Sequence, residues 1–295
     1  MEPRRAALIV MGVPYDATSS YRPGSREAPR AIRWAAANIE FYSPRARLDI
    51  EQMPIADLGD LAVAVEPGEA VKRLAAVMED VAGLARGRLI AVIGGEHTIT
   101  LGLVRGLEAA RLKTCLLVLD AHLDLRDSYM DERLSHACVM RRISEEIGPR
   151  LIYYGTRAYV SEEARYADEK GITHLDAVTP EGQPPSPMEV ARRLRGLVEA
   201  AGCSHLHVSI DMDAFDPAYA PGVGNPEPEG LTSREVLQLL HLVAELVAKE
   251  NLTTSMDVVE VSPPYDSSGI TSVLAAKTIV EYAAALAARK RLIWP

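Results

Sequence analysis

Polar side chains of the kinds that bind metal ions follow several apolar segments of this sequence. The apolar run 116–119 is followed by Asp120, His122 and Asp124, which occupy every second position. Because side chains alternate along a strand, we expect these three on one face of it. Unpaired buried charge is costly, so a buried strand with this ending indicates a compensating cation.

The same arrangement recurs after three other apolar runs. His97 follows one run, Asp211 with Asp213 follows a second, and Glu260 follows a third. Ligands of open parallel sheets bind beyond the carboxyl ends of the strands, so we expect these side chains to converge. Carboxylates and imidazoles without thiolates suit Mn²⁺, Fe²⁺ or Zn²⁺, and so many anionic ligands fit two bridged ions better than one.

Taken singly, these motifs have structural explanations. The segment 120–124 could be a solvated turn, 209–213 could be a helix cap and loop, and His97 could be an ordinary buried histidine. Their joint occurrence at the ends of apolar runs favours a functional site.

Apolar runs of strand type alternate along the chain with segments whose apolar residues recur at helical spacing. This alternation predicts an α/β fold with a mainly parallel sheet that is covered on both faces. We find neither a long linker nor a repeat, so residues 1–295 are expected to form a single domain. The proline-rich segment 180–190 predicts a surface connection in which Pro187 begins a helix. The apolar segment 272–290 predicts a last helix that faces the core or shares a subunit interface.

Composition narrows the class of partner. A net charge of -9 argues against binding to nucleic acid, whose phosphates require a basic surface, and suits a cationic ligand. Ordinary solubility charge explains the same value.

The cysteines and the N-terminus predict a cytoplasmic protein. Cys115, Cys138 and Cys203 show no metal-binding spacing, and we expect them to be reduced, apolar side chains in a reducing compartment. The apolar run 6–13 is too short to span a membrane and lacks a small-residue cleavage site, so it predicts the first strand.

Three motifs together resemble those of the ureohydrolases, the arginase and agmatinase family, in the family's order and over nearly the whole chain. They are GGEHT at 94–98, DAHLD at 120–124 and SIDMDAFDPAYAPG at 209–222. The resemblance implies a three-layer αβα sandwich around an eight-stranded, mainly parallel sheet, and a centre of two Mn²⁺ ions. The metal ligands it implies are His97, Asp120, His122, Asp124, Asp211 and Asp213.

Two more segments resemble parts of the family's active site. MDVVEVSPPYD at 256–266 places Glu260 against the substrate guanidinium, and LSHACVM at 134–140 places His136 at the mouth as a proton shuttle. Ala137 follows His136, where the family commonly has glycine. We expect Asp124 to relay a proton to the leaving amine.

The substrate expected from the resemblance is agmatine. Its hydrolysis would give urea and putrescine, and putrescine would serve polyamine biosynthesis. Segments 12–33 and 220–231 resemble agmatinases, and the loop 125–136 lacks the arginase donors to a carboxylate. Acidic residues in that loop either attract the amine of a small cationic guanidino substrate or are simply solvated. These residues are Asp127, Asp131 and Glu132.

Departures in the second loop keep other substrates open. Val223, Asn225 and Glu229 differ from the usual agmatinase residues, which makes a longer substrate such as N1-aminopropylagmatine an alternative. Arginine and guanidinobutyrate are further alternatives. A single-zinc deacetylase of related fold, a metallophosphoesterase and a non-catalytic binding protein are the competing classes. The oligomers common in the family and the apolar last helix predict a homo-oligomer, a trimer or a hexamer. No membrane partner is expected.

Overall fold

The computed structural model describes residues 1–179, 182, 184–292 and 294. Its strands are β1 Leu8–Gly12, β2 Tyr42–Ser43, β3 Leu48–Asp49, β4 Ile55–Asp60, β5 Leu89–Ile93, β6 Thr114–Leu119, β7 Leu151–Tyr154, β8 Thr173–Leu175, β9 His205–Asp211 and β10 Thr253–Val259. Its α-helices are α1 Ala28–Ala36, α2 Pro67–Ala82, α3 Ile99–Ala109, α4 Val139–Ile147, α5 Ser161–Lys170, α6 Pro187–Ala201, α7 Ser233–Lys249 and α8 Ile270–Ala288.

Eight strands form one sheet in the order β4-β1-β5-β10-β9-β6-β7-β8. All the pairings described within this sheet are parallel. The short strands β2 and β3 form a separate antiparallel pair. The prediction of an eight-stranded, mainly parallel sheet is therefore confirmed.

The sheet is buried on both faces, as its continuous apolar strands require. In β5, Leu89, Ala91 and Ile93 pack into the core beneath α1, α6, α7 and α8. Ile90 and Val92 point the other way, into the core beneath α2 and α3. Helices α4 and α5 extend that second layer over β6 and β7. The three-layer αβα sandwich is thus confirmed.

Helix α8 is the apolar segment for which the sequence left two roles open. It has the length and composition of a membrane span, but 72% of its apolar window is buried inside the protein. Its neighbours there are α1 and α7. The core-facing role is therefore confirmed.

The proline-rich segment 180–190 ends where predicted, with Pro187 in the first turn of α6. The hydroxyl of Ser186 accepts a hydrogen bond from the backbone N–H of Glu189 and caps the helix. Residues 180, 181 and 183 of the segment lie outside the described residues.

The expectation of three reduced cysteines was wrong for two of them. Cys115 in β6 and Cys203, just before β9, form a disulfide bond, while Cys138 is free and buried. The two bonded residues are 88 positions apart and meet because β6 and β9 are neighbours in the sheet. Sequence spacing alone does not reveal such a pairing.

Four central strands position the predicted site. β5, β10, β9 and β6 are consecutive in the sheet and parallel, so their carboxyl ends open onto one edge. The polar residues singled out in the sequence lie at or just beyond the carboxyl ends of these four strands.

Candidate metal centre

The first group of ligand atoms surrounds His97, which lies just after β5. The imidazole Nδ1 of His97 lies 3.0 Å from Asp120 Oδ2 and 3.1 Å from Asp124 Oδ2. Asp211 Oδ2 lies 3.3 Å from the same nitrogen. Four predicted ligands therefore converge on one point.

The second group surrounds His122. Its Nδ1 lies 3.1 Å from Asp213 Oδ2 and 3.6 Å from Asp120 Oδ1. Asp120 thus gives one carboxylate oxygen to each group, so the two groups adjoin. The structure brings together all six predicted ligands, as two adjoining groups that could each hold a cation.

Loops, and not strand alternation, produce this convergence. β6 ends at Leu119, so Asp120, His122 and Asp124 all lie beyond the strand. Asp124 has a φ of 52°, in the left-handed region. The turn is held because the carbonyl of Asp124 accepts hydrogen bonds from the N–H groups of Met140 and Arg141 at the start of α4. The expectation of one strand face is therefore corrected.

The buried polar atoms of the centre fit cations. His97 Nδ1 and Asp120 Oδ2 are buried, and neither has a hydrogen-bond partner among the described residues. Burial, with repulsion from the charge of Asp120, raises the pKa of Asp124 to about 7. Burial and the neighbouring charge of Asp213 raise the pKa of Asp211 well above its ordinary value. Two divalent cations would satisfy these orphan atoms and remove the repulsion between the carboxylates.

Glu260 lies immediately beyond β10 and beside the centre. Its φ of 63° turns the chain at this point, and its backbone N–H donates to Gly95 O at 2.9 Å. Its Oε1 accepts the backbone N–H of His97 at 2.7 Å. Burial and the charge of Glu96 raise the pKa of Glu260 well above its usual value.

His136 begins a short 3₁₀ turn before α4 and lines the same cavity as Glu260. Its ring nitrogens lie 3.3 Å from the hydroxyl of Thr18 and 3.2 Å from that of Ser20. Burial and the nearby His122 and His97 lower the pKa of His136 to about 4, so its ring is neutral near pH 7.

Glu96 holds Thr18 in place and was missed as a functional residue. This fully buried carboxylate accepts the N–H of Thr18 at 2.7 Å and the hydroxyl of Thr98 at 2.6 Å. Because Thr18 in turn contacts His136, Glu96 links the GGEHT motif to the predicted proton shuttle. The position of a glutamate between Gly95 and His97 was the available signal.

A cavity of about 280 Å³ opens above the centre and reaches solvent. The acidic loop contributes differently from the expectation, because Arg126 and Tyr129 line the cavity whereas its three acids do not. Asp127 pairs with Arg142 at 2.7 Å and with Arg133 at 3.1 Å, so its charge is compensated elsewhere.

The loop 220–231 forms the other wall. Asn225 and Glu227 line the cavity, and Glu227 Oε1 lies 3.9 Å from His122 Nε2. Val223 is buried and pairs with Val261, whereas Glu229 is exposed. Of the three unusual residues in this loop, Asn225 therefore reaches the cavity.

Arg157, which the sequence did not single out, fixes this loop to the centre. Its Nη2 donates to the carbonyl oxygens of Asp213 and Glu227, both at 2.8 Å. Its Nε donates to Pro228 O at 2.8 Å. One side chain thereby sets the distance between a predicted metal ligand and the cavity wall.

Fold and site together are typical of a metal-dependent hydrolase, because two adjoining His/Asp groups that could hold cations lie at the carboxyl edge of a parallel sheet. The sequence model of the arginase family matches residues 6–284, and the chain belongs to this family.

Relatives of known activity agree with this assignment. The chain is 37% identical over 263 residues to an N(1)-aminopropylagmatine ureohydrolase of Thermococcus kodakarensis, which covers 89% of this chain and 85% of that protein. It is 34% identical to an agmatinase of Pyrococcus horikoshii, over 96% of this chain and 93% of that protein. The crystal structure of an agmatine ureohydrolase of Thermoplasma volcanium superposes with a TM-score of 0.83 at 33% identity, over 98% of this chain and 92% of that chain. This chain is a ureohydrolase, which acts on the C–N bond of a small guanidino compound.

Proposed function

We propose that this enzyme hydrolyses agmatine to putrescine and urea with two Mn²⁺ ions. The observation that carries the proposal is one cavity in which residues of both candidate cation groups meet Glu260 and His136. Carboxylate and imidazole ligands without thiolate suit Mn²⁺. The ligands we assign are His97, Asp120, His122, Asp124, Asp211 and Asp213.

When bound, a pair of divalent ions supplies a nucleophilic water that is activated near neutral pH. Glu260 accepts hydrogen bonds from the planar guanidinium and fixes its carbon over the centre. Oε1 of Glu260 already holds the backbone N–H of His97 at 2.7 Å, so the acceptor is positioned before substrate arrives. Such positioning lowers the barrier because the reacting groups lose no further freedom.

Two residues handle protons in this proposal. As the bond from the guanidinium carbon to the alkylamine nitrogen breaks, Asp124 gives that nitrogen the proton it took from the attacking water. His136, neutral and hydrogen-bonded to the hydroxyls of Thr18 and Ser20, exchanges protons with solvent at the cavity mouth.

Glu227 recognises the far amine of the substrate in this proposal. Its carboxylate makes no hydrogen bond to a described residue, its side chain is 38% exposed, and it lines the cavity. Arg126, the basic residue of the wall, faces Glu163 at 3.8 Å, which offsets its charge. The uncompensated charge of the wall is therefore negative and favours a cation over a carboxylate.

N1-aminopropylagmatine is the second candidate. The Thermococcus kodakarensis relative is named as a ureohydrolase of this compound. The cavity that Glu227 lines is open to solvent, which leaves room for a longer polyamine chain.

Urea release in the presence of Mn²⁺ tests the proposal, with agmatine, N1-aminopropylagmatine, arginine and 4-guanidinobutyrate assayed in parallel. We expect agmatine to have the highest kcat/KM. Glu227→Gln should raise the KM for agmatine about tenfold through loss of one ionic contact. The exposed Glu229→Gln is the matched control. A preference for arginine or guanidinobutyrate would overturn the assignment of the amine to Glu227.

The wider expectations are also part of this proposal. We infer that residues 1–295 form one domain, that the enzyme serves polyamine biosynthesis in the cytoplasm, and that it assembles as a trimer or hexamer. Exposed apolar residues support assembly: Trp34 is 76% exposed, Ile270 44% and Val273 42%. Light scattering tests the oligomer, and a monomer would contradict it.

A further inference from the structure

A ladder of polar side chains runs through the core between β9 and β10. The register pairs His205 with Thr253, His207 with Ser255, and Ser209 with Asp257. Intervening residues of both strands, such as Val208 and Met256, point to the opposite core. Two buried histidines and a buried aspartate in the middle of a sheet are unusual enough to require a reason.

The ladder ends at the metal centre. Oδ1 of Asp257 lies 2.7 Å from the hydroxyl of Ser209, which lies 3.0 Å from His97 Nε2. Oδ2 of Asp257 lies 2.9 Å from His207 Nε2 and 2.9 Å from the hydroxyl of Thr100. Every one of these groups is buried.

The direction of the hydrogen bonds follows from the chemistry of the groups. An ionised carboxylate can only accept hydrogen bonds, so the hydroxyl of Ser209 donates its single proton to Asp257. Its oxygen must then accept the proton of His97 Nε2. The other ring nitrogen of His97, Nδ1, is left with a free lone pair that faces the three aspartates.

The far half of the ladder has the same polarity. His207 donates from Nε2 to Asp257, so its Nδ1 accepts from the hydroxyl of Ser255 at 2.7 Å. Ser255 then accepts from His205 Nε2, also at 2.7 Å. All donors of the ladder thus point toward Asp257, which decides the direction of the whole network.

We propose that Asp257 is a positioning residue that acts through Ser209 to fix the tautomer and ring orientation of His97. The consequence is selective. The ion held by His97, Asp124 and Asp211 depends on Asp257, whereas the ion held by His122 and Asp213 does not. This inference rests on the two-ion centre proposed above.

Asp257→Asn tests the polarity directly. The asparagine NH₂ donates to Ser209, which then donates to His97 Nε2 and leaves the proton on Nδ1, where it blocks the ion. Mn²⁺ content is measured by equilibrium dialysis of the full chain. We expect one of two ions to bind about 10- to 100-fold more weakly, as for other partners of metal-bound histidines. Asp213→Ala is expected to weaken binding of the ion held by His122. If Asp257→Asn weakens binding of the other ion, the double variant should bind both ions weakly.

Two further variants keep the inference falsifiable. Ser209→Ala removes the acceptor of His97 without adding a donor, and it should weaken the same ion even if Asp257→Asn fails to fold. Thr254→Val is the matched control, because it removes a buried hydroxyl bonded to Tyr282 at 2.8 Å on the opposite face of β10. Thr254→Val should bind both ions as wild type does.

The outcomes separate the two proposals. Wild-type protein without two Mn²⁺ ions would defeat the two-ion centre itself. Two ions with unchanged affinity in Ser209→Ala and in folded Asp257→Asn would overturn only the role of Asp257. Equal losses in Thr254→Val would also overturn it, since general loosening of the strand would then be the cause.

Discussion

The backbone N–H of His97 donates to the Oε1 of Glu260 at 2.7 Å. This bond joins the end of β5 to the end of β10, which are adjacent in the sheet. A predicted metal ligand and the predicted guanidinium acceptor are therefore parts of one rigid unit. A shift of either residue would strain this bond, so the sheet helps to set the distance from substrate to centre.

Glu260→Gln should separate substrate orientation from metal binding. The amide oxygen can keep the bond to His97, but the NH₂ group faces a guanidinium that has only donors. We expect kcat/KM to fall by about 10²- to 10³-fold, as when one preorganised charged contact is lost. Metal analysis should still find two ions per chain. Unchanged kcat/KM would remove Glu260 from the mechanism.

Asp213→Ala should lower metal content and activity together. Its Oδ2 lies 3.1 Å from His122 Nδ1, closer than Asp120 Oδ1 at 3.6 Å. We expect about one ion per chain after dialysis, and urea release below 1% of wild type, because the remaining ion cannot complete the pair. Asp131→Asn, in the exposed loop, should change neither quantity. Full occupancy and normal turnover in Asp213→Ala would exclude it as a ligand.

Arg157→Met should loosen the cavity wall. The substitution leaves the carbonyl oxygens of Asp213, Glu227 and Pro228 without their shared donor. A displacement of about 1 Å near a reacting centre costs about 10²-fold in rate, so we expect kcat/KM to fall between 10- and 100-fold. Arg105→Met, which breaks a surface pair with Glu146, is the control. Equal kinetics in both variants would show that the clasp, the hydrogen bonds of Arg157 to Asp213, Glu227 and Pro228, is dispensable.

The disulfide predicts a stability that depends on redox conditions. Replacing Cys115 and Cys203 with serine should lower the free energy of unfolding by about 3 to 5 kcal/mol, because the bond closes a long loop in the unfolded chain. Chemical denaturation measures this difference. A reducing agent should destabilise the wild type and leave the double variant unaffected. Equal sensitivity of the two proteins would contradict the pairing.

His205 predicts a loss of stability in acid. Burial lowers its pKa from 6.5 to about 3. Below pH 6.5 the unfolded chain binds a proton that the folded chain excludes, so the free energy of unfolding falls as the pH drops. The contribution is about 2 kcal/mol between pH 6.5 and 5.

Denaturation of metal-free protein across this pH range measures the effect. In His205→Gln the pH dependence should be shallower by nearly one proton, because glutamine does not titrate. An identical slope in the variant and the wild type would show that His205 is protonated in the folded state.

The sequence by itself predicted the strands, the sheet type and the six candidate ligands that the structure brings together. Apolar runs bounded by helical segments are local patterns, and a parallel sheet gathers the carboxyl ends of its strands whatever the details. That is why His97, Asp120 and Asp213 could be expected at one edge before their distances were known.

Only the tertiary structure decided how those residues meet and which others join them. The left-handed turn at Asp124 and the clasp of Arg157 depend on contacts with α4 and the loop 220–231. Likewise, the disulfide at Cys115 and the contact of Asp257 with Ser209 depend on strand neighbours far apart in the chain. Periodicity and motif spacing describe neighbours along the chain, whereas these contacts arise from the order of strands in the sheet, which pairs residues that no local pattern connects.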